Sequence, residues 1–205
     1  WGDGLCRPFD RHRSGLVAGE GGGFVVLETL ESALARGAVP YAEVLGFGSS
    51  LDGYKVTAPD PQGRGAALAM QTALHDAGIR PQQVDLINAH GTSTPLNDAA
   101  ETLAIKSVFA QDEHYRRLAI SANKSQFGHL IAAAGAPEFI VTALACQHDR
   151  ITPTLNLHSA ADDCDLDYCA HQTVNRRVDV ALSNSFGFGG LNTCLVLGKY
   201  QEHAQ

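Results

Sequence analysis

Short β-branched runs alternate with segments of helical period along almost the whole sequence, and this alternation limits the folds open to it. GFVVLE (23–28) reads as a strand, 32–36 as a short helix stopped by Gly37 and Pro40, and YAEVLGFGSS (41–50) as a second strand. After the Gly/Pro-rich loop 52–65, Ala66, Met70, Ala73, Leu74 and Ala77 keep the spacing of one helical face, closed by Gly78 at the C-cap. VDLINA (84–89) and LAISA (118–122) are further strands, flanking a helix whose apolar face is Ala100, Leu103, Ala104 and Val108. VDVALS (178–183) and TCLVLG (193–198) close the chain, joined by a glycine turn. Strands alternating with helices of this length build an α/β architecture with a largely parallel sheet. The run from His129 to His148 reads as one helix, apolar on most sides, and such a helix is buried on both sides, as between two sheets. No repeat, low-complexity tract or linker interrupts the pattern.

Composition removes several classes of function. Apolar residues are 44% and charged residues 18% of the 205, the opposite balance from a disordered chain, and the 21 glycines lack collagen's strict spacing. The longest apolar run, Leu130–Cys146, is broken by Pro137 and Glu138, so no membrane span is expected. The net charge is −7, opposite in sign to most nucleic-acid-binding domains. A cytoplasmic chain with neither nucleic acid nor membrane as partner is the expectation. It opens at Trp1 without an initiator Met or a signal-peptide pattern, and reads as a piece of something longer. Five cysteines without a CxxC spell neither a disulfide framework nor a zinc site; Cys164 and Cys169 read as opposite faces of a strand, and most of the five as buried, inert thiols.

In α/β sheets, chemistry collects on the loops after strand carboxyl ends. Three loops qualify. In NAHGTSTPLND (88–98), Thr94 before Pro95 is a good helix cap, but capping does not explain His90 where a strand ends. In SANKSQFGHLIAAAG (121–135), Lys124 lies among apolar residues and needs a partner such as Asp98, Glu101 or Glu138. His129, read at a helix N-terminus, is disfavoured as a cation by the dipole and is expected to be a neutral donor. In NSFGFGGLN (184–192), a plain glycine hairpin is the commoner reading, with Phe186 and Phe188 walling exposed N–H groups. Two neutral histidine donors aimed at one carbonyl oxygen stabilise an enolate, and a backbone N–H holds an oxyanion. A nucleophile is missing.

These three motifs, in this order and spacing, resemble the C-terminal half of a β-ketoacyl carrier-protein synthase, nearest to synthase II and type II polyketide ketosynthases. PFDRHRSGLVAGEGGGFVVLE and CDLDY fit the same family, so the likeness runs from about Pro8 to Gly198. It implies a thiolase-like fold of α-β-α-β-α layers, of which only the C-terminal portion is here: residues 1–50 would close the first half and 51–205 form the second. It also implies a decarboxylating Claisen condensation between an acyl-cysteine thioester and malonyl-carrier protein. By motif, His90 and His129 would bind the malonyl thioester, and Lys124 would order the site through Asp98 or Glu101, with Glu138 on the buried helix. The Phe188 N–H would join the oxyanion hole while its ring gates the acyl pocket, and Thr57, Thr92 and Thr94 would line the pantetheine channel. The implied partners are an N-terminal ketosynthase polypeptide carrying the nucleophilic cysteine, an acyl carrier protein landing near Arg7, Arg11, Arg13 or Arg64, and a second complete unit in a dimer. No metal and no cofactor beyond the carrier's phosphopantetheine is implied.

Departures limit the resemblance. None of the five cysteines matches the family's nucleophile, so this chain alone should condense nothing. Pro137 is expected to kink its helix, and the SQF of KSQFGH stands beside the site where the family usually has small and Met residues. A non-condensing chain-length-factor-like subunit ranks second, because such subunits usually lose both histidines. A thiolase ranks third, then a scaffold half-domain without chemistry; a zinc hydrolase lacks a third ligand at motif spacing.

Overall fold

A computed structural model describes residues 3–110, 115 and 117–201; Trp1 lies outside them. The elements run α1 (Leu30–Ala35), β1 (Glu43–Leu51), α2 (Arg64–Ala77), β2 (Leu86–Asn88), α3 (Pro95–Phe109), β3 (Ala119–Ser121), α4 (Lys124–Phe127), α5 (Gly135–His148), β4 (Arg150–Ile151), β5 (Val174–Asn175), β6 (Val180–Phe186) and β7 (Leu191–Gly198). Five strands form one sheet in the order β1-β7-β6-β2-β3, and β4 pairs with β5 alone. β2 is parallel to both β3 and β6, whereas β7 is antiparallel to β6 and to β1. The sheet is therefore mixed rather than largely parallel, because the glycine turn after β6 is too short for a crossover and must return as a hairpin.

Period-two burial makes three layers. Ile87, Ile120, Leu182 and Val196 point into one core with Met70, Ala73 and Leu74 of α2 and Ala104, Ile105 and Val108 of α3. Their neighbours Leu86, Ala119, Ala181 and Leu197 point into the other, with Ala143, Ala145 and Cys146 of α5. Glycine brings α2 unusually close to β1: a Cβ on Gly48 would collide with the Ala69 carbonyl and lie 2.5 Å from Ala73 N. α2 ends as expected, on Gly78 in the left-handed conformation (φ 65°).

Several sequence expectations change. Residues 23–28 pair with no strand among the described residues; Gly23 lies against Ala136 and Ile140 of α5, but Phe24 and Val26 are 100% and 85% exposed. Cys164 and Cys169 lie in loops rather than on a strand, although all five cysteines are buried and free. Leu103 is exposed, since the inward face of α3 is taken by Asp98, Glu101, Thr102 and Ile105. The expected helix 129–148 begins only at Gly135, after a 3-10 turn at Ile131–Ala133. Pro137 then stands in the first turn of α5, where its missing N–H has no helical partner to lose, so it breaks no helix hydrogen bond. The inward side of α5 (Glu138, Thr142, Ala145, Cys146) is buried, while Leu144 on its outer side is exposed. Among the described residues, α5 is not buried on both sides.

Candidate active site

β6, β2 and β3 are adjacent and parallel, so their carboxyl ends share one edge of the sheet. Phe186 ends β6, His90 follows β2 by two residues, and Lys124 follows β3 by three. This register carries three loops distant in sequence into one place. A cavity of about 320 Å³ opens there, lined by His90, His129, Ile131, Ser185, Phe186 and Leu195 among others. The His90 and His129 rings meet edge to face, with centroids 5.5 Å apart, and the Phe186 ring lies 5.4 Å from His90.

Lys124 sits beneath them, fully buried. Its ammonium pairs with Glu138, itself 1% exposed, donates to the His90 carbonyl at 2.6 Å, and lies 3.3 Å from His90 Nδ1. An ammonium can only donate, so His90 Nδ1 accepts and its Nε2 carries the proton. His129 reaches the same tautomer differently: the Ile131 N–H donates to its Nδ1 at 3.0 Å. Two imidazoles, each with Nε2 as the protonated nitrogen, therefore stand at one cavity.

Electrostatics holds both rings neutral. Burial pushes the His90 pKa well below its ordinary value, with Lys124 and His129 adding to the shift. Burial, then Lys124, lowers His129 to about 4. The helix dipole expected to do this is absent, because His129 precedes α5 by six residues. Burial raises Glu138 to about 7 against the pull of Lys124.

Residues 41–158 match the family described as β-ketoacyl synthase, C-terminal domain. This chain belongs to the β-ketoacyl synthase family. It is 51% identical over 195 residues to 3-oxoacyl-[acyl-carrier-protein] synthase 2 of Synechocystis sp., covering 95% of this chain and 46% of that protein. It is 46% identical over 196 residues to the synthase 2 of Staphylococcus aureus, covering 96% and 47%. Among solved structures, the ishigamide ketosynthase/chain length factor superposes with a TM-score of 0.93 at 42% identity, over 98% of this chain and 48% of that one. A type II polyketide ketosynthase, bound to its acyl-carrier protein and to a hexaketide (AntDE:AntF), gives 0.93 at 36% identity, over 97% and 48%. The chain spans about half the length of the curated relatives it matches, and its three layers are part of the thiolase-like ketosynthase fold.

Within this β-ketoacyl synthase portion, the site residues read from the sequence divide in two. His90, His129 and Phe186 meet at the cavity, with Lys124 and Glu138 directly behind. Asp98 and Glu101 make no direct bond to Lys124, contrary to expectation. Asp98 accepts from the Phe9 N–H at 2.9 Å, lies 3.8 Å from Arg13 Nε, and is raised to about 7 by burial. Glu101 accepts from the N–H groups of His90 and Gly91, both at 2.9 Å, so it fixes the His90 backbone rather than the lysine. Thr92 and Thr94 bond each other at 2.8 Å, and Thr94 caps α3 through Asn97 N. Thr57 is exposed on the loop after β1, and Phe188 is 77% exposed; neither lines the cavity, and Phe186 alone of the two phenylalanines does. The four arginines are each paired to a carboxylate: Arg7 to Asp3, Arg11 to Asp162, Arg13 to Asp163 and Arg64 to Asp60. No cysteine lines the cavity, and burial raises Cys6, Cys146, Cys164 and Cys169 to about 12, so these remain thiols.

Three polar residues behind the site escaped the sequence reading. Asn88 on β2 reaches Asn123 at 2.8 Å and both the Glu138 carbonyl and Thr142 Oγ1 at 2.9 Å, tying β2 and the turn after β3 to α5. Asn88 and Thr142 each stand in an apolar run, and a polar residue there needs a buried partner. That was the available signal.

Proposed function

We propose that this chain is the malonyl-handling half of a β-ketoacyl carrier-protein synthase, which extends an acyl thioester by decarboxylative Claisen condensation in fatty acid or polyketide synthesis. The observation that carries it is the pair of neutral imidazoles with protonated Nε2 atoms at one cavity, above a buried Lys124–Glu138 pair. Two such donors fit one thioester carbonyl oxygen. As carbon dioxide leaves malonyl, the C–C electron pair moves into an enolate whose oxygen both N–H groups stabilise. The carbanion then attacks the acyl-cysteine carbonyl, forming the new C–C bond and expelling the thiolate; the Phe188 N–H is assigned to the oxyanion of that step. Lys124 holds His90 in its donor tautomer and does not itself transfer a proton.

In this reading residues 1–50 complete a first thiolase-like half and 51–205 form the second. The nucleophilic cysteine comes from an N-terminal polypeptide, and the complete unit works in the cytoplasm as a dimer with an acyl carrier protein. Thr57, Thr92 and Thr94 approach the pantetheine only when the site is complete, and no cofactor besides that carried group is required. In the complete enzyme, His129→Ala should abolish malonyl decarboxylation while leaving acyl loading of the cysteine intact, read by carbon dioxide release and by intact-protein mass. Loss of loading with decarboxylation retained contradicts the assignment. A non-condensing scaffold has no decarboxylation to lose, so the unmutated enzyme already separates that alternative.

A further inference from the structure

We propose that Val17–Gly19 is a backbone strap that positions His129, and that Gly19 is the positioning residue that lets the strap lie close enough. The His129 N–H donates to the Val17 carbonyl at 2.7 Å, and the Gly19 N–H donates to the His129 carbonyl at 3.0 Å, making a parallel bridge between Ala18 and His129. With Ile131 N–H on Nδ1 at 3.0 Å, three of the four polar groups of His129 are taken. Only Nε2 remains for the cavity. His129 belongs to no helix or sheet; it lies between α4 and the 3-10 turn. Without the strap its placement rests on Ile131, a β-branched residue in the left-handed region (φ 54°). A peptide more than a hundred residues earlier therefore carries most of the definition of a ring that must stand accurately.

The contact exists because two glycines face each other across it. A Cβ on Gly19 would collide with the Phe127 carbonyl oxygen and lie 2.9 Å from Leu130 Cδ1. Gly19 has no positive φ, so its requirement is space rather than conformation. Opposite it, Gly128 has φ 76°, and a Cβ there would lie 3.0 Å from Gly19 Cα, Gly19 N and the Val17 carbonyl. Gly22, three residues along the same run, has nothing within 4 Å of its Cβ position, so a methyl group there meets open space.

The strap rests on the reading that His129 acts on the malonyl thioester, and the test separates the two. In the full-length enzyme, Gly19→Ala should lower kcat for malonyl decarboxylation on the order of 100-fold, as expected for a group displaced by about 1 Å. KM and acyl loading of the cysteine should hold, and Gly22→Ala should match the parent. Long-range ¹⁵N–¹H NMR supplies a reading independent of activity. His129 should show an unprotonated Nδ1 and a protonated Nε2 in the parent, and a mixture of tautomers in Gly19→Ala. If Gly19→Ala does not fold, replacing the residue-19 amide by an ester removes the N–H without adding bulk, and a smaller change in the same direction is expected. Parent-like tautomer and rate overturn the strap, as does an equal loss of loading and decarboxylation. A changed tautomer in an enzyme whose parent never decarboxylates malonyl supports the strap and overturns the proposed function.

Discussion

The two sides of α5 are built on opposite terms. On its inner side, Glu138, Thr142 and Ala145 are buried with Lys124, Asn88 and Asn123, and the ammonium at the centre meets a carboxylate, a carbonyl and an imidazole nitrogen. On its outer side Leu144 is exposed, and in the run that follows Gly23, which lies against Ala136 and Ile140, Phe24, Val25, Val26 and Leu27 are exposed as well. Most polar groups of the inner side are paired among the described residues, Asn88 Oδ1 and Glu138 Oε2 being buried exceptions, whereas apolar groups that survive exposure at modest cost are left open. The site's geometry is thus a property of this chain, and the open face is where a further apolar surface has most to gain.

The sharpest way to break that contrast is to orphan one charge. Lys124→Ala leaves the Glu138 carboxyl buried without a partner and empties the place of a long side chain, so the chain should lose about 3–5 kcal/mol or fail to fold. Lys124→Met keeps the volume and lets Glu138 take up a proton, which burial already favours, and should recover much of that loss. Urea denaturation of both variants measures it; equal losses would show that the missing ammonium, and not the emptied volume, sets the cost.

A smaller effect follows from the rings. Folded His129 titrates at about 4 rather than at its ordinary 6.5, so between these values the unfolded chain holds a proton the folded chain lacks. The stability His129 contributes is complete above pH 6.5 and is lost as pH falls toward 4. Glu138 and Asp98, raised to about 7, work in the opposite sense, favouring the folded state at low pH. The prediction is therefore a difference. Parent minus His129→Gln stability should rise by about 1 kcal/mol from pH 4.5 to 6.5, solvent screening of a half-open ring having removed most of the full shift. A flat difference would mean that the ring titrates normally.

The same contrast explains what could be read without coordinates. Strand runs and α2 with its Gly78 cap were legible because periodicity and a left-handed glycine are local signals. His90, Lys124 and His129 were legible as residues that ordinary capping and packing did not explain. Choosing Glu138 over Asp98 and Glu101 as the partner of Lys124 was not possible, since all three carboxylates lie in helical segments and only packing decides which reaches the ammonium. The start of α5 was misplaced because Leu130–Ala134 is as apolar as the helix proper; the left-handed Ile131 that breaks it has no local signature. Strand 23–28 failed for another reason. Its β pattern is real, but a strand needs a neighbour, and the described residues supply none.

That last segment gives the smallest expected effect. Phe24→Ser and Val26→Ser remove apolar groups that are 100% and 85% exposed, so in the 205-residue chain each should change unfolding stability by less than about 0.5 kcal/mol. The same substitutions should reduce self-association in sedimentation velocity, because an open apolar run is a site for non-specific pairing. Placed in the complete enzyme, they should matter more, since any surface that covers the run gains about 25 cal/mol for each Å² of apolar area removed from water. A loss of 1 kcal/mol or more in the short chain would show that Phe24 or Val26 packs within it. The division between a largely paired inner side of α5 and an open outer side would then be wrong at its most exposed point. An unchanged short chain beside a destabilised complete enzyme locates the missing contacts outside these 205 residues, where the run's β pattern finds its pairing.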